Sequence, residues 1–164
     1  MTTPGFHDPV HDHERCLAEA LQEAEQLCRD RGAQLTPVRR RVLELVWSEH
    51  RPQGAYELLE QLQAERGRVA PPTVYRALDF LLAQGLIHRI ESLNAFVGCP
   101  RPSHVHNGQF FICEACGATA ELTDSGLAER IDRSAAALGF AVNQRIVEVR
   151  GHCPDCTADE SQSP

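Results

Sequence analysis

The sequence contains no lysine. All sixteen basic residues are arginine, and against twenty-three acids they leave a formal charge of −7 over 164 residues. A cationic field over the whole chain is therefore missing. Taken alone, this speaks against nucleic acid as a partner, because phosphate binding rests on neutralisation by basic side chains. Also missing are an apolar run long enough to cross a bilayer and an N-terminal apolar segment of the signal-peptide kind, so no membrane partner is expected and the cytoplasm is the expected location. Nothing resembles H-E-x-x-H or a nucleophile motif. A zinc-dependent hydrolase or thiol oxidoreductase therefore lacks its signature, and neither an enzyme nor a small-molecule substrate is expected. What is present is ordinary for one or two globular domains: 42% hydrophobic and 24% charged residues exclude a disordered, collagenous or fibrous chain. Seven cysteines are the exception. In a reducing compartment, clustered cysteines more often bind metal than form disulfides.

The charge is unevenly distributed. Residues 1–30 hold two arginines and seven acids, residues 31–90 nine arginines and six acids, and residues 91–164 five arginines and ten acids. Only the middle third is basic, at +3.

Residues 1–13 lack periodicity and read as a flexible tail. From Glu14 to Arg31, Leu17, Leu21, Ala24 and Cys28 form the stripe of an amphipathic helix, with Gly32 placed for a left-handed cap. Thr36-Pro37 sets an N-cap hydroxyl before a proline at the first helical position, and the helix continues to about Glu49. A third helix spans about Ala55 to Arg66. Pro71-Pro72-Thr73 opens a fourth, with Val74, Leu78, Leu81 and Leu82 on its buried face and Gly85 as its stop. The period then changes: Leu86–Ile90 and Ala95–Val97 read as a hairpin. Three helices followed by a hairpin is the order of a winged helix, whose third helix enters the DNA major groove. A small helical bundle with a trailing hairpin has the same order. Residues 98–108 form a linker. Beyond it, Gln109–Ile112 and Ala118–Leu122 read as strands, Ser125–Leu138 as a helix ended by Gly139, and Phe140–Val149 as a longer alternating strand. The expected fold class is thus α+β: a winged-helix domain over 14–97, a small α/β domain over 109–157, and a C-terminal tail over 158–164.

Cys113-Glu-Ala-Cys116-Gly117 and Cys153-Pro-Asp-Cys156 are two C-x2-C pairs separated by thirty-six residues. Two such turns supply four thiolates to one tetrahedral ion at Zn–S distances of roughly 2.3 Å, and the glycine frees the backbone for the first turn. Two redox pairs or a rubredoxin-like or iron–sulfur centre are the alternatives, but neither pair opens the helix of a βαβ unit, and structural zinc is preferred. A closed four-thiolate site clamps a fold and leaves no open position for a substrate. Four further candidates surround the linker: His88, Cys99, His106 and Glu121, with His104 as a substitute for His106. Such a mixed set suits zinc better than calcium, magnesium or manganese, because one ligand is a thiolate. Singly, His88 also reads as a polar strand residue and Glu121 as a solvated carboxylate. On the fourth helix, Arg76 lies opposite the buried stripe. From there an arginine can make a bidentate contact to guanine, although an exposed solubilising charge would occupy the same place.

The run Ala70-Pro-Pro-Thr-Val-Tyr-Arg-Ala-Leu-Asp-Phe-Leu-Leu-Ala-Gln-Gly-Leu-Ile-His88, preceded by Leu35-Thr-Pro-x-Arg39, resembles the DNA-binding half of the ferric uptake regulator (Fur) superfamily, most closely its zinc uptake regulator (Zur) branch. The resemblance covers residues 14–157. It implies that Cys113, Cys116, Cys153 and Cys156 hold a structural zinc, and that His88, Cys99, His106 and Glu121 hold a regulatory one, giving two zinc ions per chain. It matches Tyr56 to a tyrosine that contacts bases or sugar–phosphate, makes Thr73 and Tyr75 phosphate-contacting or packing residues, and makes Arg39 a phosphate contact. It implies that 109–157 is a dimerisation domain. The expected function is then a zinc-responsive repressor of zinc-uptake genes, binding palindromic double-stranded operator DNA as one or two homodimers. Iron- and peroxide-sensing relatives use nitrogen and oxygen sites, so Cys99 favours zinc over those alternatives. Cys16 and Cys28 read as packing residues, and His7, His11 and His13 as part of the tail.

Overall fold

The structure is a computed structural model of the full chain, and it describes residues 6, 13–49, 51–103, 108–122 and 124–160. The chain divides into two compact units, one within residues 8–104 and the other within residues 105–164.

The first unit opens with α1 (His13–Asp30) and α2 (Pro37–Trp47). The N-terminus of α2 forms as its sequence dictates: Pro37 occupies the first turn, and the Thr36 hydroxyl accepts a hydrogen bond from the Arg39 amide at 3.4 Å. A two-residue strand, β1 (Gln53–Gly54), leads into α3 (Ala55–Arg66), where the Glu57 carboxylate accepts from the Gly54 amide at 2.8 Å. Next comes α4 (Pro71–Ala83), with prolines at its first two positions and Gly85 beyond its end at φ +68°. The wing is β2 (Ile87–Ile90), a single 3₁₀ turn and β3 (Ala95–Gly98). The β2 and β3 strands pair antiparallel, with His88 opposite Val97 and Ile87 opposite Gly98. The sheet order is β1-β3-β2.

The apolar stripes of all four helices converge. Leu21, Ala24 and Cys28 of α1, Val42, Leu43 and Val46 of α2, Leu58 and Leu62 of α3, and Val74, Leu78 and Leu81 of α4 form one core with Ile87 and Phe96 of the wing. Cys28 is a packing residue, as its place in the stripe predicts, while Cys16 is half-buried.

In the second unit, β4 (Gln109–Cys113) is central, flanked by β5 (Thr119–Leu122) antiparallel and by β6 (Val147–Gly151) parallel. The crossover between them is α5 (Ser125–Ala137), capped by the Asp124 carboxylate, which accepts from the Gly126 amide at 2.8 Å. The long strand predicted over Phe140–Val149 is a correction: strand begins only at Val147. Ladder hydrogen bonds need a partner, and β4 offers one only from Gln109, which pairs with Val147. Before that point the segment is irregular, and Arg145 forms a two-pronged ion pair with Asp132 of α5 at 2.8 and 2.6 Å. A second correction concerns the C-terminal tail predicted from 158. A helix, α6 (Pro154–Glu160), runs past that point, started by Pro154 with Asp155 in its first turn.

Candidate metal centre and nucleic-acid interface

The four cysteines of the paired motifs come together in the second unit. Cys113 ends β4, Cys116 lies in the turn to β5, Cys153 follows β6 and Cys156 lies on α6. Their sulfur atoms all lie within 4.8 Å of one another. The turn is built by the backbone: the Gly117 amide donates to the Cys113 carbonyl at 3.0 Å with Gly117 at φ +76°, and the Cys113 amide donates to the Ala118 carbonyl at 2.9 Å. The Glu114 amide donates to the Gly151 carbonyl at 2.8 Å, joining the two turns.

The geometry fits a tetrathiolate ion. A tetrahedron with metal–sulfur bonds of roughly 2.3 Å has edges of about 3.8 Å, and Cys116 Sγ and Cys153 Sγ stand 3.7 Å apart. The electrostatics agree. Hydrogen bonds from the backbone amides of Cys116 and Cys153, the latter at 3.3 Å, pull the Cys113 thiol down to about 6. The Cys156 thiol is pushed up by its hydrogen bonding with Cys153 and then Cys116. Four adjacent thiols cannot all ionise against one another, and a divalent cation removes the conflict. All seven cysteines are free thiols.

Of the second predicted set, the structure brings two members together within the first unit. His88 lies on β2, and Cys99 follows β3, buried, with its amide donating to the Leu86 carbonyl at 3.0 Å. Their ligand atoms lie within 4.8 Å. Glu121 is a buried carboxylate on β5 of the second unit. His104 and His106 lie outside the described residues, as do His7 and His11. His13 begins α1, and its ring lies 3.1 Å from the Ser48 carbonyl.

On α4, Val74, Ala77, Leu78 and Leu81 are buried while Tyr75 and Arg76 are exposed. Arg76 makes no hydrogen bond or ion pair among the described residues. Tyr56, in the first turn of α3, is 70% exposed, and Thr73 is half-buried. Arg39 is partly engaged within its own domain: its guanidinium donates to the Gln34 carbonyl at 2.6 Å and stacks 3.8 Å above the Phe80 ring.

Sequence reasoning missed one feature of this site. The Trp47 indole lies so close to the Gly98 backbone that a Cβ added at Gly98 would fall inside it, against Cε2, Nε1 and Cδ2. A glycine immediately before a ligand-type cysteine was the available signal.

A unit of four helices and a wing, with an exposed arginine on the last helix before the wing, followed by an α+β unit that gathers four cysteine sulfurs, defines the class of two-domain winged-helix metalloproteins. Comparisons narrow it. The sequence pattern of the Ferric uptake regulator family matches residues 30–150. The zinc uptake regulation protein of Escherichia coli (strain K12) is 40% identical over 146 residues, 87% of this chain and 84% of that protein. A solved structure of a zinc uptake regulator complexed with zinc and DNA shares 39% identity and a TM-score of 0.85, covering 88% of this chain and 97% of that one. A crystal structure of holo XcZur shares 43% identity and a TM-score of 0.79, covering 85% and 98%. The chain belongs to the ferric uptake regulator family.

Proposed function

We propose that this chain is a zinc-responsive transcriptional repressor, acting in the cytoplasm by binding DNA rather than by catalysis, and that it represses zinc-uptake genes when zinc is plentiful. The observation that carries the reading is that reader and sensor share one unit. The exposed Arg76 is held on α4 by a fully buried stripe, and the His88–Cys99 donor pair is held on the wing beside it. The similarity to the zinc uptake regulators supports the metal assignment.

Two zinc ions per chain follow from the donor sets. Cys113, Cys116, Cys153 and Cys156 hold the structural ion, whose closed thiolate shell favours folding. His88, Cys99, Glu121 and a linker histidine, His106 or in its place His104, hold the regulatory ion. When bound there, zinc would supply a positive charge shared by thiolate, imidazole and carboxylate donors. The donors thereby make DNA affinity depend on zinc, and if that dependence is about a hundredfold, the coupling is roughly 2.7 kcal/mol and DNA tightens zinc equally.

Arg76 reads guanine O6 and N7 from the major groove, a contact worth about 1–3 kcal/mol of discrimination. Tyr56 contacts bases or sugar–phosphate, Thr73 and Tyr75 contact phosphate or pack, and Arg39 contacts phosphate, and the phosphate contacts fix the register. The second unit dimerises. Its exposed apolar side chains include Phe111 and Val149 on neighbouring strands, Ile146 just before β6, and Leu138 and Phe140 just past the end of α5, with Leu138 at 85% exposure and Phe140 at 67%. A symmetric homodimer matches a palindromic operator, which takes one or two such dimers.

The test is operator binding by the full chain against buffered free zinc, for the native protein and Cys99→Ser. Zinc is expected to tighten binding of the native chain and to leave Cys99→Ser nearly unresponsive. Equal responses would overturn the regulatory assignment, and activation by iron but not zinc would make the chain an iron or peroxide sensor.

A further inference from the structure

The fully described part of the wing shows what holds Cys99 in place. In the β2–β3 ladder, directly opposed residues share a face, so His88 and Val97 project together, and Ile87 and Gly98 project to the other side. The Cys99 amide extends the ladder by donating to the Leu86 carbonyl at 3.0 Å. Cys99 therefore continues the His88 face by the alternation of the strand, and its sulfur lies within 4.8 Å of a His88 ring nitrogen. The opposite face at Gly98 is occupied by the indole of Trp47, at the C-terminal end of α2. Only a residue without a Cβ lets the ring approach the strand so closely. The ring thus presses on the peptide unit that carries the cysteine, from the side opposite its sulfur.

Further back along β3, Phe96 enters the helical core, and β1 pairs with the strand at Phe96 and Ala95. Those contacts hold the strand up to Phe96. Past that point β1 no longer pairs with it, and the supports of the Gly98–Cys99 segment that the geometry identifies are β2 on one edge and Trp47 underneath. Metal sites are set by such supporting groups as well as by the ligands themselves, and their loss typically costs 10–100-fold in affinity.

We propose that Trp47 is a positioning residue for the regulatory metal: packed on Gly98, it fixes the backbone that aims the Cys99 thiolate toward the ion shared with His88. The proposal rests on the regulatory-site reading given above. It also makes the only tryptophan in the chain a resident reporter of that site.

The experiment uses full-length protein with its structural zinc retained, checked as one zinc per chain by mass spectrometry. Cobalt(II) is titrated into the remaining site, and the thiolate-to-cobalt charge-transfer band and Trp47 fluorescence are followed together. In the native chain the band is expected to grow with quenching of Trp47 at the same stoichiometry. Trp47→Leu is expected to weaken cobalt and zinc binding at this site by tenfold or more and to lower or shift the band, and Trp47→Phe, which keeps a flat ring over Gly98, is expected to recover most of the affinity. Unchanged affinity and an unchanged band in Trp47→Leu, with only a lower melting temperature, would show that the indole merely packs and would overturn the proposal. So would an affinity lost alike in Leu and Phe variants that retain native circular dichroism. Native-like cobalt binding by Cys99→Ser, whatever the Trp47 variants do, would instead remove the regulatory-site reading beneath it.

Discussion

Removing the structural metal should unfold one unit and spare the other. Among the described residues the apolar side chains that the second unit buries, apart from its cysteines Cys113 and Cys153, are only Phe110, Ile112 and Ala120. At about 1.5–3 kcal/mol for each large side chain and about 1 kcal/mol for the alanine, that burial contributes about 4–7 kcal/mol before any cost of ordering the chain. Zinc held by four thiolates contributes roughly 10–16 kcal/mol of apparent binding energy at neutral pH, more than the whole of that apolar term. The first unit has no such dependence, since Leu43, Leu58, Leu62, Leu78 and Leu81 are each less than 2% exposed in a continuous core. The composition supplies a clean assay. Trp47, Tyr56 and Tyr75, the only tryptophan and tyrosines in the chain, all lie in the first unit. A strong chelator, or Cys113→Ser, should abolish hydrogen-exchange protection along β4 while near-ultraviolet circular dichroism and Trp47 fluorescence remain near native. Protection at Phe111 and Ile112 that survives verified loss of all metal would refute the reasoning, as would simultaneous loss of both signals.

Three other outcomes follow from the same structure. Arg76→Ala should lower operator affinity relative to random DNA by about 1–3 kcal/mol, with little change in the random-DNA affinity itself, measured by competition at fixed salt. Leu81→Ala empties a fully buried position between α4 and its neighbours and should cost about 2–5 kcal/mol, seen as a lower denaturant midpoint with an unchanged slope. Leu138→Glu combined with Phe140→Glu places charge on the exposed apolar surface of the second unit and should convert dimers to monomers in sedimentation without loss of bound zinc; a persisting dimer would place the interface elsewhere.

Legibility in the sequence followed the range of the interactions involved. The helices of the first unit are readable because their cause is local: Thr36-Pro37 and Pro71-Pro72 set where α2 and α4 start, and most of the 3.6-residue stripe residues are buried in the core, with Leu17 and Leu82 only partly buried against it. The four-thiolate cluster was readable because two short spacings encode it. What escaped depends on partners distant in the chain. β1 is only two residues long and exists because β3 offers an edge at Ala95 and Phe96. The strand predicted over Phe140–Val149 shortens because β4 supplies only five positions, and an alternating pattern says nothing about the length of its neighbour. For α6 the cause is local: Cys153 and Cys156 form a ligand-type pair, and the proline between them also starts a helix. The contact of Trp47 with Gly98 joins residues fifty-one positions apart and has no periodic signature.

The missing lysines and the charge of −7 take on a different meaning once the arginines are placed. Of the nine in the basic middle third, Arg40, Arg41, Arg51 and Arg89 are engaged with glutamates, Arg41 bridging Glu44 and Glu65 across α2 and α3. Arg31 donates to the Gln84 carbonyl, and Arg39 is divided between Gln34 and Phe80. Arg31, Arg39, Arg40 and Arg41 use the planar, multi-donor guanidinium to join helices or their ends, a role that a single ammonium fills poorly. Arg66, Arg68 and Arg76, by contrast, have no hydrogen bond or ion pair among the described residues, and Arg76 stands on the outer face of α4. Non-specific affinity scales with the number of phosphates a protein neutralises, whereas discrimination scales with the quality of individual base contacts. With Arg76 as the base reader proposed above, a domain that commits most of its cations to internal partners is expected to bind random DNA weakly and to depend on the correct base pair at that arginine.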